Sequence, residues 1–69
     1  MDETQKLRVL LPHWIEHNGE HAAEFRDYAN RTGKARERLL TAARLLEDAN
    51  SHLGEALAEL GGPLEHQHP

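Results

Sequence analysis

Asn30-Arg31-Thr32-Gly33-Lys34 is the segment that decides the fold of this 69-residue chain. It is the only strong helix-breaking segment in the middle of the sequence, and a glycine at position 33 suits a helix C-terminal stop. A connection this short makes the segments on either side of it run antiparallel. The sequence therefore predicts an all-α fold, in which two helices form an antiparallel hairpin.

The first helix is predicted at about residues 4–31 from the spacing of its apolar and aromatic side chains. Asp2 or Thr4 can cap its first turn. Pro12 lacks an amide proton and clashes with the carbonyl four residues earlier, so we expect a kink or a restart there. The residues that recur at steps of three and four, and that define the expected apolar face, are Leu7, Leu10, Leu11, Trp14, Asn18, His21, Phe25 and Tyr28.

The second helix is predicted at about residues 34–60, where alanine and leucine alternate at heptad spacing. Alanine at every other position of this seam permits a close helix pair. Further apolar residues flank the seam, and this surplus indicates a second partner surface. The seam residues are Ala35, Leu39, Ala42, Leu46, Ala49, Leu53, Ala56 and Leu60, and the flanking residues are Leu40, Ala43, Leu45 and Leu57.

Two helices alone bury little apolar surface, so the sequence predicts a homodimer that forms a four-helix bundle. Gly61-Gly62-Pro63 ends the second helix. We therefore divide the chain into a helical hairpin at residues 1–62 and a flexible histidine-containing tail at residues 63–69.

The composition excludes several classes of function. The chain has no cysteine, which removes disulfides, thiolate metal sites and thiol nucleophiles. Its net charge of −4 disfavours nucleic acid as a partner. No apolar run is long enough to cross a bilayer, and no signal-peptide pattern is present. We expect a cytoplasmic protein without nucleic-acid or membrane partners.

Three histidines, His13, His17 and His21, recur every four residues in the first helix. Each is followed three residues later by a glutamate, at positions 16, 20 and 24. On a helix, residues at these spacings lie on one face, so the imidazoles form a ladder with carboxylates beside it. Such a ladder predicts a site for a divalent transition metal.

One ion cannot bind all three histidines, because His13 and His21 are about 12 Å apart along a helix axis. If the turn is centred near Thr32 and Gly33, His52 lies opposite His13 and Asp48 lies opposite His17. The predicted metal ligands are therefore His13, His17, Asp48 and His52, with His21, Glu16 and Glu20 as further candidates. Three nitrogens and a carboxylate suit zinc, nickel, cobalt or copper(II).

Three functions are consistent with these residues. The first is a metallochaperone, metal buffer or metal sensor, with a partner protein that receives the metal. The second is a structural or protein-interaction bundle, in which the histidines are incidental residues of a solvated helix face or respond to pH. The third, least favoured, is a small hydrolase that uses Glu16 or Glu20 as the base.

Two resemblances accompany these motifs. The segments 13–17 and 17–21 both read HxxEH, which resembles the motif of inverted zinc peptidases, whose two histidines bind zinc. The match covers five residues at a time, so it implies metal ligation at helical spacing and not proteolysis. The longer segment 11–25 resembles small uncharacterised prokaryotic helical domains carrying HWxxHNxEH. That resemblance implies a helical fold and no particular activity.

Overall fold

The computed structural model describes residues 1–64, which form two α-helices joined by a short turn. Helix α1 spans Glu3–Thr32 and helix α2 spans Arg36–Glu59. The two helices pack against each other along their length as an antiparallel hairpin. The all-α, two-helix fold predicted from the sequence is confirmed.

A capping box starts α1 at Asp2. The Gln5 amide donates to Asp2 Oδ1 at 2.8 Å, and the Asp2 amide donates to Gln5 Oε1 at 3.2 Å. These bonds satisfy backbone donors that have no partner inside the first turn. Asp2, rather than Thr4, is thus the cap among the two expected residues.

Helix α1 continues through Pro12, so the expected restart at this position does not occur. Proline has no amide proton to donate to the carbonyl of Arg8, four residues earlier. That carbonyl accepts instead from the Leu64 amide at 3.2 Å. The Arg8 side chain also donates from Nε to the Gly62 carbonyl at 2.7 Å. Pro12 thus leaves the Arg8 carbonyl without a donor inside α1. The bond from Leu64 to this carbonyl attaches the segment after α2 to the first turns of α1.

The turn between the helices occupies residues 33–35, and α2 begins two residues later than the expected position 34. Gly33 adopts φ 71°, a left-handed conformation that side chains with a Cβ disfavour. Ala35 occupies the cap of α2 without a side-chain hydrogen bond. Across the turn, Arg36 Nη1 donates to Asn30 Oδ1 at 3.0 Å.

Small residues dominate the buried part of the interface between the helices. Among residues 1–64, the fully buried apolar residues are Leu11, Ala22, Ala29 and Ala43. Alanine at these positions lets the two backbones approach closely, as the alanine content of the sequence predicts. On α2, however, Ala43 lies at the centre of the interface and Ala49 is exposed, so the interface is rotated away from the expected seam. Half-buried larger residues complete the contact: Ile15, Phe25, Leu39, Leu46, Leu53 and Leu57.

Candidate functional site

The pairing of the helices places Asn18 beside Asn50. Asn18 Nδ2 donates to Asn50 Oδ1 at 3.0 Å. In the register assumed from the sequence, Asn18 would face Glu47, about one helical turn earlier. Instead, Glu47 Oε1 accepts from Arg26 Nη2 at 2.6 Å. The register differs because α1 continues to Thr32 and the turn is centred near residue 34, which moves every facing position along α2.

Asp48 and His52 lie on the side of α2 that faces away from α1. Each is two residues from Asn50, which contacts α1, and two residues correspond to about 200° around a helix. The His52 side chain is 83% exposed, with its Nδ1 4.0 Å from Glu55 Oε1. The structure therefore does not bring Asp48 and His52 to His13 and His17.

Within a single chain, the predicted four-ligand site is not assembled. Over residues 1–64, no group of three or more His, Asp or Glu side chains is arranged to hold a metal ion. The physical reason is the combination of the shifted register with the rotation of α2. The shift in register moves Asp48 and His52 along the axis relative to His13 and His17, and the rotation of α2 places them on the far side of the hairpin.

The histidines of α1 do form a ladder. The rings of His13 and His17 are 4.4 Å apart between centroids and meet edge to face. The side chains of His17 and His21 are 53% and 56% exposed, so both are accessible from solvent. Glu16 is exposed on the same helix. The rings of His13 and His17 are thus adjacent on one face of α1, as the spacing predicts.

Two of the glutamates contact histidine rings on the same helix. His17 Nδ1 lies 3.6 Å from Glu20 Oε1, and His21 Nδ1 lies 3.2 Å from Glu24 Oε1. Histidines that bind a metal through one ring nitrogen usually direct the other nitrogen to a carboxylate or carbonyl, which orients the ring. Glu20, predicted as a ligand, therefore lies where it would orient His17. This arrangement leaves Nε2 of both rings free to bind.

Besides the residues that pack against α2, helix α1 carries a stripe of exposed residues that faces neither α2 nor a core. We call it the outer stripe: Leu7, Leu10, Trp14, His17, His21, Glu24 and Tyr28, all of them exposed and separated by alternating steps of three and four residues. Trp14, expected in the core, is 42% exposed. Leu11, Asn18 and Phe25 face α2 instead. The apolar face predicted for α1 therefore combined residues of two adjacent stripes, the outer stripe and the stripe that packs against α2.

The alternating spacing of the outer stripe is the sequence signal that distinguishes it from the face of α1 that packs against α2. Steps of three and four repeat every seven residues, which is the spacing of the a and d positions in a coiled coil. The His21 ring stacks near Phe25, with centroids 6.3 Å apart. At the end of the stripe, the Arg31 guanidinium lies 4.9 Å from the centre of the Tyr28 ring.

Residues beyond 64 lie outside the described part of the chain, and they include His66 and His68 of the expected tail. Leu64, which the sequence assigned to that tail, is half-buried and bonded to Arg8. Neither helix of residues 1–64 is long and apolar enough to cross a membrane. No pocket is present over the same residues, and the hydrolase hypothesis stays a prediction.

These features define the chain as an antiparallel two-helix hairpin with a histidine-bearing outer stripe. It belongs to the family described as Domain of unknown function (DUF8180), whose profile matches residues 7–60. The matched region includes the whole outer stripe and all of α2, and it excludes the C-terminal tail. No curated protein and no solved structure matches the chain. The resemblance to HWxxHNxEH domains stays a prediction.

Proposed function

We propose that the chain is a self-associating helical module whose outer stripe binds a second copy to form a four-helix bundle. The main observation in support of this proposal is that the aromatic and leucine side chains of the stripe are exposed, although they recur at coiled-coil spacing. A helix of a globular protein normally buries such a stripe against a partner. In the isolated hairpin, the stripe of α1 has no covering element among residues 1–64.

The small core gives independent support to a partner. The residues fully buried in the hairpin are one leucine and three alanines, and no large side chain of the described residues is completely enclosed. Chains of fewer than about 70–80 residues rarely obtain enough stability from one core, and oligomerisation is a common remedy. A second copy is a suitable occupant, because it brings another stripe of the same length whose leucine and aromatic side chains are exposed.

Sedimentation equilibrium of the untagged chain tests self-association. Trp14→Glu should shift the protein towards monomer, since it introduces a charge into the interface. Val9→Glu is the matched control, because Val9 is a 38% exposed apolar residue on the same helix, outside the outer stripe. A wild-type protein that stays monomeric at every accessible concentration, both in EDTA and in Zn²⁺, would refute the proposal. Equal effects of the two substitutions would refute the role of the stripe.

The second candidate function is metal binding by the histidine ladder, as a metallochaperone, buffer or sensor for zinc, nickel, cobalt or copper(II). It is supported by the adjacent imidazoles of α1 and by the carboxylates that face His17 and His21. A partner protein that receives the metal and a cytoplasmic location belong to this proposal. Two imidazoles from one chain leave the coordination shell incomplete, since structural zinc takes four ligands.

Calorimetric titration with each of the four metals tests this candidate. Binding should weaken in His17→Ala and persist in His52→Ala. His52 is a matched control, because it also has a glutamate three residues later but lies on the far side of α2. Equal binding by the two variants would exclude the ladder as the site.

A further inference from the structure

The polar middle of the outer stripe consists of His17, His21 and Glu24, with leucine and tryptophan on one side and tyrosine on the other. In a coiled-coil seam these positions would face a partner helix and would normally be apolar. Two imidazoles at the centre of such a seam cost desolvation unless their nitrogens bind something there. The histidines therefore occupy the part of the stripe where a bound ion would compensate for this cost.

The outer stripe can pair with its own antiparallel copy in a register that brings the histidines together. Consider two α1 helices that pack along their stripes with a twofold axis near residue 19. His17 then lies beside the partner's His21, Leu10 beside the partner's Tyr28, and Trp14 beside the partner's Glu24. The axis is close to the middle of α1, which spans Glu3–Thr32, so nearly the whole helix is paired. This register brings four imidazoles together around the axis.

We propose that one divalent transition metal ion binds on this twofold axis between two copies of the chain, held by His17 and His21 of each. The inference rests on the proposed self-association, and it adds the ligands, the stoichiometry and the regulation of dimerisation by metal.

The chemistry of the four side chains fits this site. Packed helices lie about 8–10 Å apart, a span that two histidine side chains can bridge through an ion about 2.0–2.1 Å from each nitrogen. Histidines four residues apart on one helix can share an ion, so each chain supplies a chelating pair. Glu20 and Glu24 face Nδ1 of the two rings, which leaves Nε2 to coordinate. Four nitrogen ligands without sulfur suit zinc, with cobalt as a spectroscopic substitute.

The twofold site is compatible with the lack of a group of three or more ligand side chains within residues 1–64 of one chain. A single chain contributes only half of the ligands, so the group of residues is completed by the second copy. His13 is excluded, because it lies outside the outer stripe, although its ring is close to that of His17. A site within one chain at His13 and His17 would bind one ion per chain, whereas the twofold site binds one ion per two chains.

Sedimentation equilibrium of the untagged chain, in EDTA and in saturating Zn²⁺, tests the inference. The dimer dissociation constant should fall by on the order of tenfold or more with zinc, since the ion binds only the dimer. His17→Ala and His21→Ala should abolish this zinc effect. His52→Ala and His13→Ala should retain it. All four residues are exposed, and circular dichroism verifies that each variant remains helical.

Titration with Co²⁺, followed by its visible absorption, gives the stoichiometry, which should be one ion per two chains with a tetrahedral spectrum. A dimer whose stability is unchanged by zinc would overturn the inference and leave the proposed self-association intact. A monomer under all conditions would overturn both. A zinc effect that survives in His21→Ala, or one cobalt ion per chain, would show that the ligands lie elsewhere and would also overturn the inference.

Discussion

Asn50 joins α2 to two positions of α1 at once. Its Oδ1 accepts from Asn18 Nδ2 at 3.0 Å, and its Nδ2 donates to the Ile15 carbonyl at 3.0 Å. Both side chains are half-buried within an interface that is otherwise mostly alanine and leucine. Because small apolar residues slide past each other with little penalty, this pair of bonds, together with the Arg26–Glu47 ion pair, favours one helix register.

Replacing Asn50 should therefore cost more than replacing Asn18. Asn50→Ala removes two hydrogen bonds and should lower the free energy of unfolding by about 1–2 kcal/mol. Asn18→Ala removes one bond and should cost about 0.5–1 kcal/mol. Urea denaturation of both variants measures the difference. Equal losses would mean that the bond to the Ile15 carbonyl contributes nothing.

Gly19→Ala should stabilise the hairpin by about 0.5–1 kcal/mol, since glycine within a helix is less favourable than alanine by that amount. The space is available, because an added Cβ would lie 4.0 Å from Asn50 Nδ2, an ordinary contact. Thermal or urea unfolding measures the gain. A loss of stability would indicate that the helices approach more closely here than the structure shows.

Gly33→Ala is the opposite case and should destabilise the hairpin by about 1–2 kcal/mol. Nothing lies within 4 Å of the added Cβ, so the cost comes only from the φ of 71°. Gly33→Asn should cost about as much, because ψ is −36° and lies outside the αL region that asparagine tolerates. The same unfolding measurement compares the two, and an unchanged stability in either variant would contradict a backbone origin.

Pro12→Ala should loosen the C-terminal segment while it favours α1. Alanine at position 12 provides an amide that competes for the Arg8 carbonyl, which now accepts from Leu64. Hydrogen exchange of the Leu64 amide should become faster in the variant. Exchange in the middle of α1 should slow or stay constant. Unchanged protection of Leu64 would mean that its bond to Arg8 does not depend on the proline.

The Arg26–Glu47 ion pair should make stability depend on pH in the acid range. The hydrogen bond from Arg26 is the main cause that lowers the pKa of Glu47 below its usual value. A carboxylate with a lowered folded-state pKa stabilises the fold above its unfolded pKa of about 4.3. This contribution is lost as the pH falls through the folded-state pKa. Unfolding of Glu47→Gln at several pH values should show a shallower acid dependence than the wild type.

Glu16→Gln is the matched control for that measurement. Glu16 is also exposed, and no ion pair with it is present over residues 1–64. This variant should keep the acid dependence of the wild type. If both variants behave alike, the pairing with Arg26 does not contribute measurably.

The local features of the fold could be predicted because short-range chemistry decides them. Helical spacing, the capping residue Asp2 and the glycine at position 33 act within a few residues, and they specify two helices and a turn. The ladder of His13, His17 and His21 follows in the same way, since spacing alone places those residues on one helix face. The sequence by itself therefore determined the hairpin and the alignment of the three imidazoles along one helix.

Only the tertiary structure decided the register and the face of each helix that is buried. Leu10, Trp14 and Leu11 all follow helical spacing, so two neighbouring stripes of α1 compete for the interface, and α2 makes the choice. Its buried Ala43 and its Asn50 lie on the face that packs against α1, whose own packed face carries Asn18 and the buried Ala22 and Ala29. That packing leaves Trp14 and the histidines outside, and it directs Asp48 and His52 away from them. A register depends on contacts between residues far apart in the chain, which spacing along one helix cannot specify.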